Sequence, residues 1–177
     1  GRLAIAGEPM KGQLKRLALT HEVSEVIERG SVDEIDPEYR PEKSFAVRAI
    51  EAEDKEYDTA ELQEKVGDIF STEENQVDLE NPREQLRLYL LEEEYILARL
   101  VVDIDRGLFE KRKNQERPFS SPVSLDPVLA RVLVNLSGVK PHSHLLDLFC
   151  GTGGILIEAG LCGVGVHGLD IQEKRVE

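Results

Sequence analysis

A chain of 177 residues can hold one or two domains with a sizeable core, and 40% hydrophobic with 32% charged residues excludes wholesale disorder. No apolar run reaches the roughly 20 residues of a membrane span, because Glu158 interrupts the longest candidate, and nothing reads as a secretory signal, so no membrane partner and a cytoplasmic setting are expected. The formal net charge of −13 denies the chain a general attraction for phosphate, so any nucleic-acid contact needs a local basic patch.

In chain order, residues 3–6 and 14–19 read as strands, separated by Gly7-Glu8-Pro9 and Gly12. Thr20 is suited to cap a helix over 21–29, where Val23, Val26 and Ile27 recur at spacings of three and four and Gly30 ends the run. His21 then falls in a first helical turn, where a cation is disfavoured, which points to a structural or surface role. A polar connector over 31–43 leads to a strand over 44–50. After an acidic stretch, a helix over 59–70 sets Leu62, Val66, Ile69 and Phe70 on one face, with Asp58 and Glu61 as a capping box.

Val77-Asp78-Leu79-Glu80-Asn81-Pro82 ends in a turn, and 85–90 alternates with period two. The strand over 95–104 completes a hairpin whose loop is kept solvated by Glu92, Glu93 and Glu94. Arg106, Lys111, Arg112, Lys113 and Arg117 then form a basic stretch. Charge alone leaves two readings open, a phosphate-gripping patch and a solvated loop. Pro127 suits the first turn of a helix in which Leu129, Val132, Leu133 and Leu136 share a face, before Gly138 stops it.

The next stretch is Leu145-Leu146-Asp147-Leu148-Phe149-Cys150-Gly151-Thr152-Gly153-Gly154, followed by Ile155-Leu156-Ile157-Glu158-Ala159. Its pattern is strand, tight glycine loop, helix, a geometry that lets a ligand lie against backbone at a helix N-terminus. It departs from the G-x-G-x-x-G dinucleotide fingerprint, because Leu156 stands where the third glycine belongs and Asp147 would repel an anion. A nicotinamide oxidoreductase is disfavoured on that ground. A second acid, Asp170, closes the next apolar run, where a ribose-binding carboxylate belongs in a β-α-β nucleotide site. Cys150 and Cys162 flank this unit and read as small buried hydrophobes, and no third and fourth ligand gathers around them for a metal.

The loop D-x-F-x-G-T-G-G resembles the S-adenosylmethionine loop of Rossmann-like methyltransferases. The segment with V-D-L-x-N-P ahead of a hairpin, closing in Arg117-Pro118-Phe119, resembles a THUMP domain, an RNA-binding module of tRNA-modifying enzymes. Leu17 to Val23 resembles the end of the ferredoxin-like domain that precedes it. Taken together, the chain is similar to the archaeal tRNA guanosine-N2 methyltransferases acting at position 10.

That resemblance implies an α/β chain with an α+β ferredoxin-like/THUMP RNA-binding region followed by the start of a Rossmann-like methyltransferase domain. The corresponding ranges are 1–42, 43–117 and 118–177. It implies tRNA as partner and S-adenosylmethionine as cofactor, held by Asp147, Phe149, Gly151, Thr152, Gly153, Gly154 and Asp170. Phe119, Pro122 and Ser124 stand at its methionine end, and Arg106, Lys111, Arg112, Lys113 and Arg117 face RNA. Such families carry an (Asp/Asn)-Pro-Pro-aromatic catalytic loop, which this sequence lacks; Asn81-Pro82-Arg83 is its one Asn-Pro pair. The chain is therefore expected to be a fragment, truncated at both ends, without catalytic residues of its own. The alternative is a non-catalytic RNA-binding protein with a degenerate nucleotide fold.

Overall fold

The computed structural model describes residues 14–51, 56–117 and 124–172, which fall into two units. The first takes in 22–103 and the second takes in 14–21 with 104–172.

The first unit is a four-stranded sheet, β1 (Glu22–Ser31), β2 (Phe45–Glu51), β3 (Glu84–Leu90) and β4 (Glu94–Asp103), with helix α1 (Thr59–Phe70) between β2 and β3. The strand order is β1-β4-β3-β2. β3 and β4 form the expected antiparallel hairpin, while β2 and β3 run parallel and so need α1 as their crossover. Asp58 caps α1 by accepting a hydrogen bond from the Glu61 N–H at 3.0 Å. Val66 and Phe70 press from α1 onto Phe45, Leu86, Leu88, Leu90, Tyr95 and Leu97, all of them buried. Phe70 meets Phe45 edge-on at 5.8 Å between centroids, a favoured aromatic geometry. On the other face of β3, Arg87 donates to Glu22 at 2.8 Å, and the Tyr89 hydroxyl donates to the same carboxylate at 2.9 Å.

β1 overturns the helix expected over 21–29. Its register along β4 slips between Val23 and Ser24 and again between Val26 and Glu28. The first slip leaves Val101 of β4 unpaired and the second leaves Ile27 of β1 unpaired, so only the second offsets the alternation along β1, placing apolar Ile27 next to Val26 in a bulged strand. The sheet thus takes in residues 22–31, ahead of the boundary expected at residue 43.

The second unit comprises a short helix α2 (Gly107–Glu110), helix α3 (Pro127–Leu136), strand β5 (His144–Asp147), helix α4 (Gly154–Leu161) and strand β6 (Gly165–Gly168). β5 and β6 pair in parallel with α4 as crossover, the β-α-β arrangement expected from the glycine loop. Val134, Ala159, Cys162 and Val164 form a small apolar cluster.

Two expectations fail in this unit. Residues 14–19 are no strand: Leu17 N–H donates back to the Leu14 carbonyl in a turn, with Leu14 and Ala18 buried. In α3, located where expected and capped by Asp126, the buried residues are Pro127, Ala130, Arg131 and Val134. Leu129, Leu133 and Leu136 are exposed. Apolar residues lie all round this helix, so periodicity could not choose between its faces.

Candidate functional site

The glycine loop is pinned to both strand ends. The Leu169 N–H donates to the Asp147 carbonyl at 2.8 Å and the Cys150 N–H to the Leu169 carbonyl at 2.9 Å, extending the β5/β6 ladder into the loop. Asp147 Oδ1 accepts from the Phe149 N–H at 3.0 Å, and Asp170 Oδ2 accepts from the Gly151 N–H at 2.9 Å. Gly151 and Gly153 take φ of 54° and 73°, values that side chains with a Cβ resist. Gly153 is the N-cap of α4 and offers its first-turn N–H groups no side-chain partner.

These residues surround a cleft of about 240 Å³, lined among others by Ser124, Asp147, Phe149, Gly151, Thr152 and Asp170. The Thr152 hydroxyl donates to Ser124 Oγ at 2.8 Å, tying the loop to the segment ahead of α3. Phe149 is 84% exposed. Each oxygen of a carboxylate accepts up to two hydrogen bonds, so Asp147 keeps acceptor capacity beyond the Phe149 N–H it holds. Both carboxylates line the cleft. Partial burial, and then the carboxylates of Asp147 and Asp170, push the Cys150 thiol up. Cys150 is only half-buried, correcting the reading of it as a core residue; Cys162 is buried and both are free thiols.

Six of the seven loop and strand-end candidates line the cleft, with Ser124: Asp147, Phe149, Gly151, Thr152, Gly154 and Asp170. Gly153 forms the turn behind them. Phe119 and Pro122 lie outside the described residues. Leu156, the departure from the dinucleotide fingerprint, has a counterpart in β6: a Cβ on Gly168 would run into the Leu156 side chain and come within 2.9 Å of Cys150 Sγ. The close approach of helix and strand thus comes from a glycine on the strand.

Two members of the basic stretch, Arg112 and Arg117, are turned inward. Glu158 of α4, fully buried, accepts from Arg112 Nε at 2.7 Å and Arg112 Nη2 at 3.2 Å, and pairs with Arg131 of α3 at 2.7 Å. The Arg112 and Arg131 guanidiniums lie over the Phe109 ring at 4.8 and 5.6 Å. Arg117 Nε donates to the Arg112 carbonyl at 2.7 Å. Arg106 meets His21 at 2.8 Å, and Lys113 pairs with Glu110 at 2.6 Å, leaving Lys111 exposed. Arg112 and Arg117 are therefore withdrawn from the phosphate-facing set, because a buried carboxylate and a backbone carbonyl hold them. The Glu158 ion cluster went unnoticed in the sequence, although a lone acid inside the apolar run of α4 was its signal. Among the described residues no group of three or more His, Cys, Asp or Glu gathers as a metal site, and no helix is long and apolar enough to cross a membrane.

Residues 22–98 match the THUMP domain family, and residues 114–176 match the family described as RMKL-like, methyltransferase domain. The chain thus joins a THUMP domain to a region of the RMKL-like methyltransferase domain family. At finer grain it is a homologue of archaeal tRNA guanine-N2 methyltransferases. It is 43% identical over 171 residues to tRNA (guanine(10)-N2)-dimethyltransferase of Methanothermobacter thermautotrophicus, covering 92% of this chain and 51% of that protein. It is 36% identical over 140 residues to the protein of the same name in Methanocaldococcus jannaschii, covering 76% of this chain and 40% of the relative. The chain thus spans about half the length of the curated relatives it matches. Among solved structures, TrmN from Thermus thermophilus overlaps with a TM-score of 0.44 at 28% identity, over 75% of this chain and 40% of that one.

Proposed function

We propose that the protein containing this chain transfers a methyl group from S-adenosylmethionine to the exocyclic N2 of a guanosine in tRNA, at position 10, in the cytoplasm. The relatives' names supply the substrate, and a methyltransferase family implies a methyl donor. The observation that carries the choice of donor is the pair of acid-ended parallel strands bracketing a glycine loop, with Asp170 accepting from the Gly151 N–H. An anionic pyrophosphate would be repelled by those acids, whereas a cationic amino-acid head and ribose hydroxyls can donate to them.

In this reading S-adenosylmethionine supplies an electrophilic methyl group. The chain's own residues do the positioning, which is much of the work when the nucleophile is an amine. Asp147 holds the loop through the Phe149 N–H and faces the amino-acid end, while Asp170 faces the ribose. Phe149 offers an exposed aromatic surface beside the cleft. Thr152 and Ser124 fix the loop against the segment ahead of α3. RNA binding is assigned to the THUMP unit, and Arg106, Lys111 and Lys113 of the other unit stay candidates for phosphate contact.

The test is calorimetric titration of the full-length protein with S-adenosylmethionine. Asp147→Ala and Asp170→Ala should each weaken binding roughly ten- to a hundredfold, the equivalent of losing a hydrogen bond to a charged group worth about 1.5–3 kcal/mol. Unchanged affinity in both variants would reject the site.

A further inference from the structure

We propose that His21 is a positioning residue for RNA binding: its imidazole holds the Arg106 guanidinium in place, with the charge left intact, for a phosphate of the RNA backbone. The assignment rests on tRNA as the substrate. Arg106 Nη1 and His21 Nε2 lie 2.8 Å apart. An arginine side chain has no acceptor, so the bond runs one way: Nη1 donates, Nε2 accepts, and the ring is neutral with its proton on Nδ1. Both partners stand on fixed backbone. The His21 carbonyl accepts from the Ile104 N–H at 2.9 Å, and the Arg106 carbonyl accepts from the Phe109 N–H at 3.0 Å as α2 begins.

What sets Arg106 apart is the kind of partner it has. The chain carries 35 Asp and Glu, 22 Lys and Arg and 4 His, so a carboxylate is the expected neighbour of a cation. In the basic stretch Arg112 is answered by the buried Glu158 and Lys113 by Glu110, and the terminal nitrogens of Arg117 are closed to solvent. Among the described residues no carboxylate pairs with Arg106. Even Asp105, its neighbour in the chain, turns an oxygen to the Gly107 N–H at 2.9 Å. A carboxylate would hold the guanidinium but offset the charge that a phosphate needs, whereas a neutral ring holds it and offsets nothing. An arginine without any such partner would give up its side-chain freedom on binding; this one is already ordered. The fork formed by Nε and Nη2 has no partner among the described residues, and its two parallel donors suit a phosphate. His21 is exposed and Arg106 half-buried, so a polynucleotide can reach the pair, and the exposed Lys111 stands at the far end of α2.

The experiment measures binding of a tRNA transcript to the full-length protein across a salt series. Arg106→Gln should weaken binding roughly tenfold at physiological salt and lower the log–log salt slope by about 0.7–0.9, the signature of one lost phosphate contact. His21→Ala should weaken binding roughly three- to tenfold. His21→Gln, whose amide oxygen can accept from Nη1, should restore most of that loss, and His21→Ala should add nothing further in the Arg106→Gln background. A histidine that only supports the fold would show neither the rescue nor the dependence on Arg106. Should His21→Ala fail to melt cooperatively, His21→Leu, which fills the ring's space without an acceptor, takes its place in the cycle. If the wild-type protein binds the transcript and Arg106→Gln keeps its affinity and salt slope, the proposal is overturned. A His21→Ala loss that persists undiminished without Arg106 overturns it as well. A wild-type protein that does not bind the transcript defeats the substrate reading and this assignment with it, an outcome distinct from the other two.

Discussion

The two units place their charges differently. In the sheet of 22–103 the space between α1 and the strands is apolar, and the Glu22–Arg87 pair sits on the opposite face with 20% of the Glu22 side chain exposed. In the β-α-β unit a carboxylate lies fully buried between two guanidiniums, while Leu129, Leu133 and Leu136 are exposed. A core assembled from Phe, Leu and Val tolerates loss in proportion to the volume removed. An ion cluster depends on every member, because removing one leaves the others charged and dry.

The largest effects should come from the centres of the two arrangements. Glu158→Gln strands Arg112 and Arg131 and should cost about 3–5 kcal/mol in denaturant unfolding, and Phe70→Ala in the sheet unit should cost a similar 3–5 kcal/mol through its cavity. What separates them is repair. Replacing Arg112, Glu158 and Arg131 together by apolar residues of similar volume should recover most of the loss, since buried ion clusters exchanged whole for hydrophobic residues are often neutral or stabilising. If the triple replacement remains as unstable as Glu158→Gln, charge pairing is not what this interior requires.

Gly168→Ala should cost about 1–3 kcal/mol, because its Cβ meets Leu156 and Cys150. Combining it with Leu156→Ala should relieve part of the clash, so the two costs should fail to add when measured as a double-mutant cycle. Smaller still, Leu136→Ala, at a residue 77% exposed, should change the stability of this chain by less than about 0.5 kcal/mol. A loss of several kcal/mol there would restore the originally expected face of α3.

A last contrast vanishes at neutral pH. All four tyrosines lie in the sheet unit. Burial, then the hydrogen bond donated to Glu28, pushes the Tyr95 phenol up to about 12. Burial raises Tyr39 and Tyr89 as well. Between the ordinary phenol value near 10 and the folded value, the native state binds more protons than the unfolded one, so stability falls as pH rises through that window and is unaffected below it. Tyr95→Phe should flatten the decline, followed by circular dichroism from pH 9 upward; an unaltered profile would place the alkaline sensitivity elsewhere.

How far the sequence could be read follows the same division. The helix Thr59–Phe70, its Asp58 cap and the hairpin were legible because one face of each element meets an apolar core and the other meets solvent. The glycine loop was legible from its chemistry, with Asp147, Gly151, Thr152 and Asp170 arriving around one cleft. β1 was misread because a bulge at Ile27 breaks its alternation and leaves apolar residues at helical spacing. The inward turn of Arg112 and Arg117 was hidden for a different reason: a charged residue declares its sign in the sequence but not its partner, and Glu158 lies 46 residues from Arg112.

The pairing of Glu22 with Asp103 in the β1/β4 ladder brings the two ends of the sheet unit side by side. The flanking segments, ending at His21 and resuming at Ile104, belong to the other unit and are themselves joined, the Ile104 N–H donating to the His21 carbonyl at 2.9 Å. In the language of recombination, residues 22–103 form an insert whose entry and exit share one doorway. Such a segment can be gained, lost or exchanged without rethreading its host. A chain in which a short flexible linker joins His21 directly to Ile104 should therefore keep its β-α-β cleft.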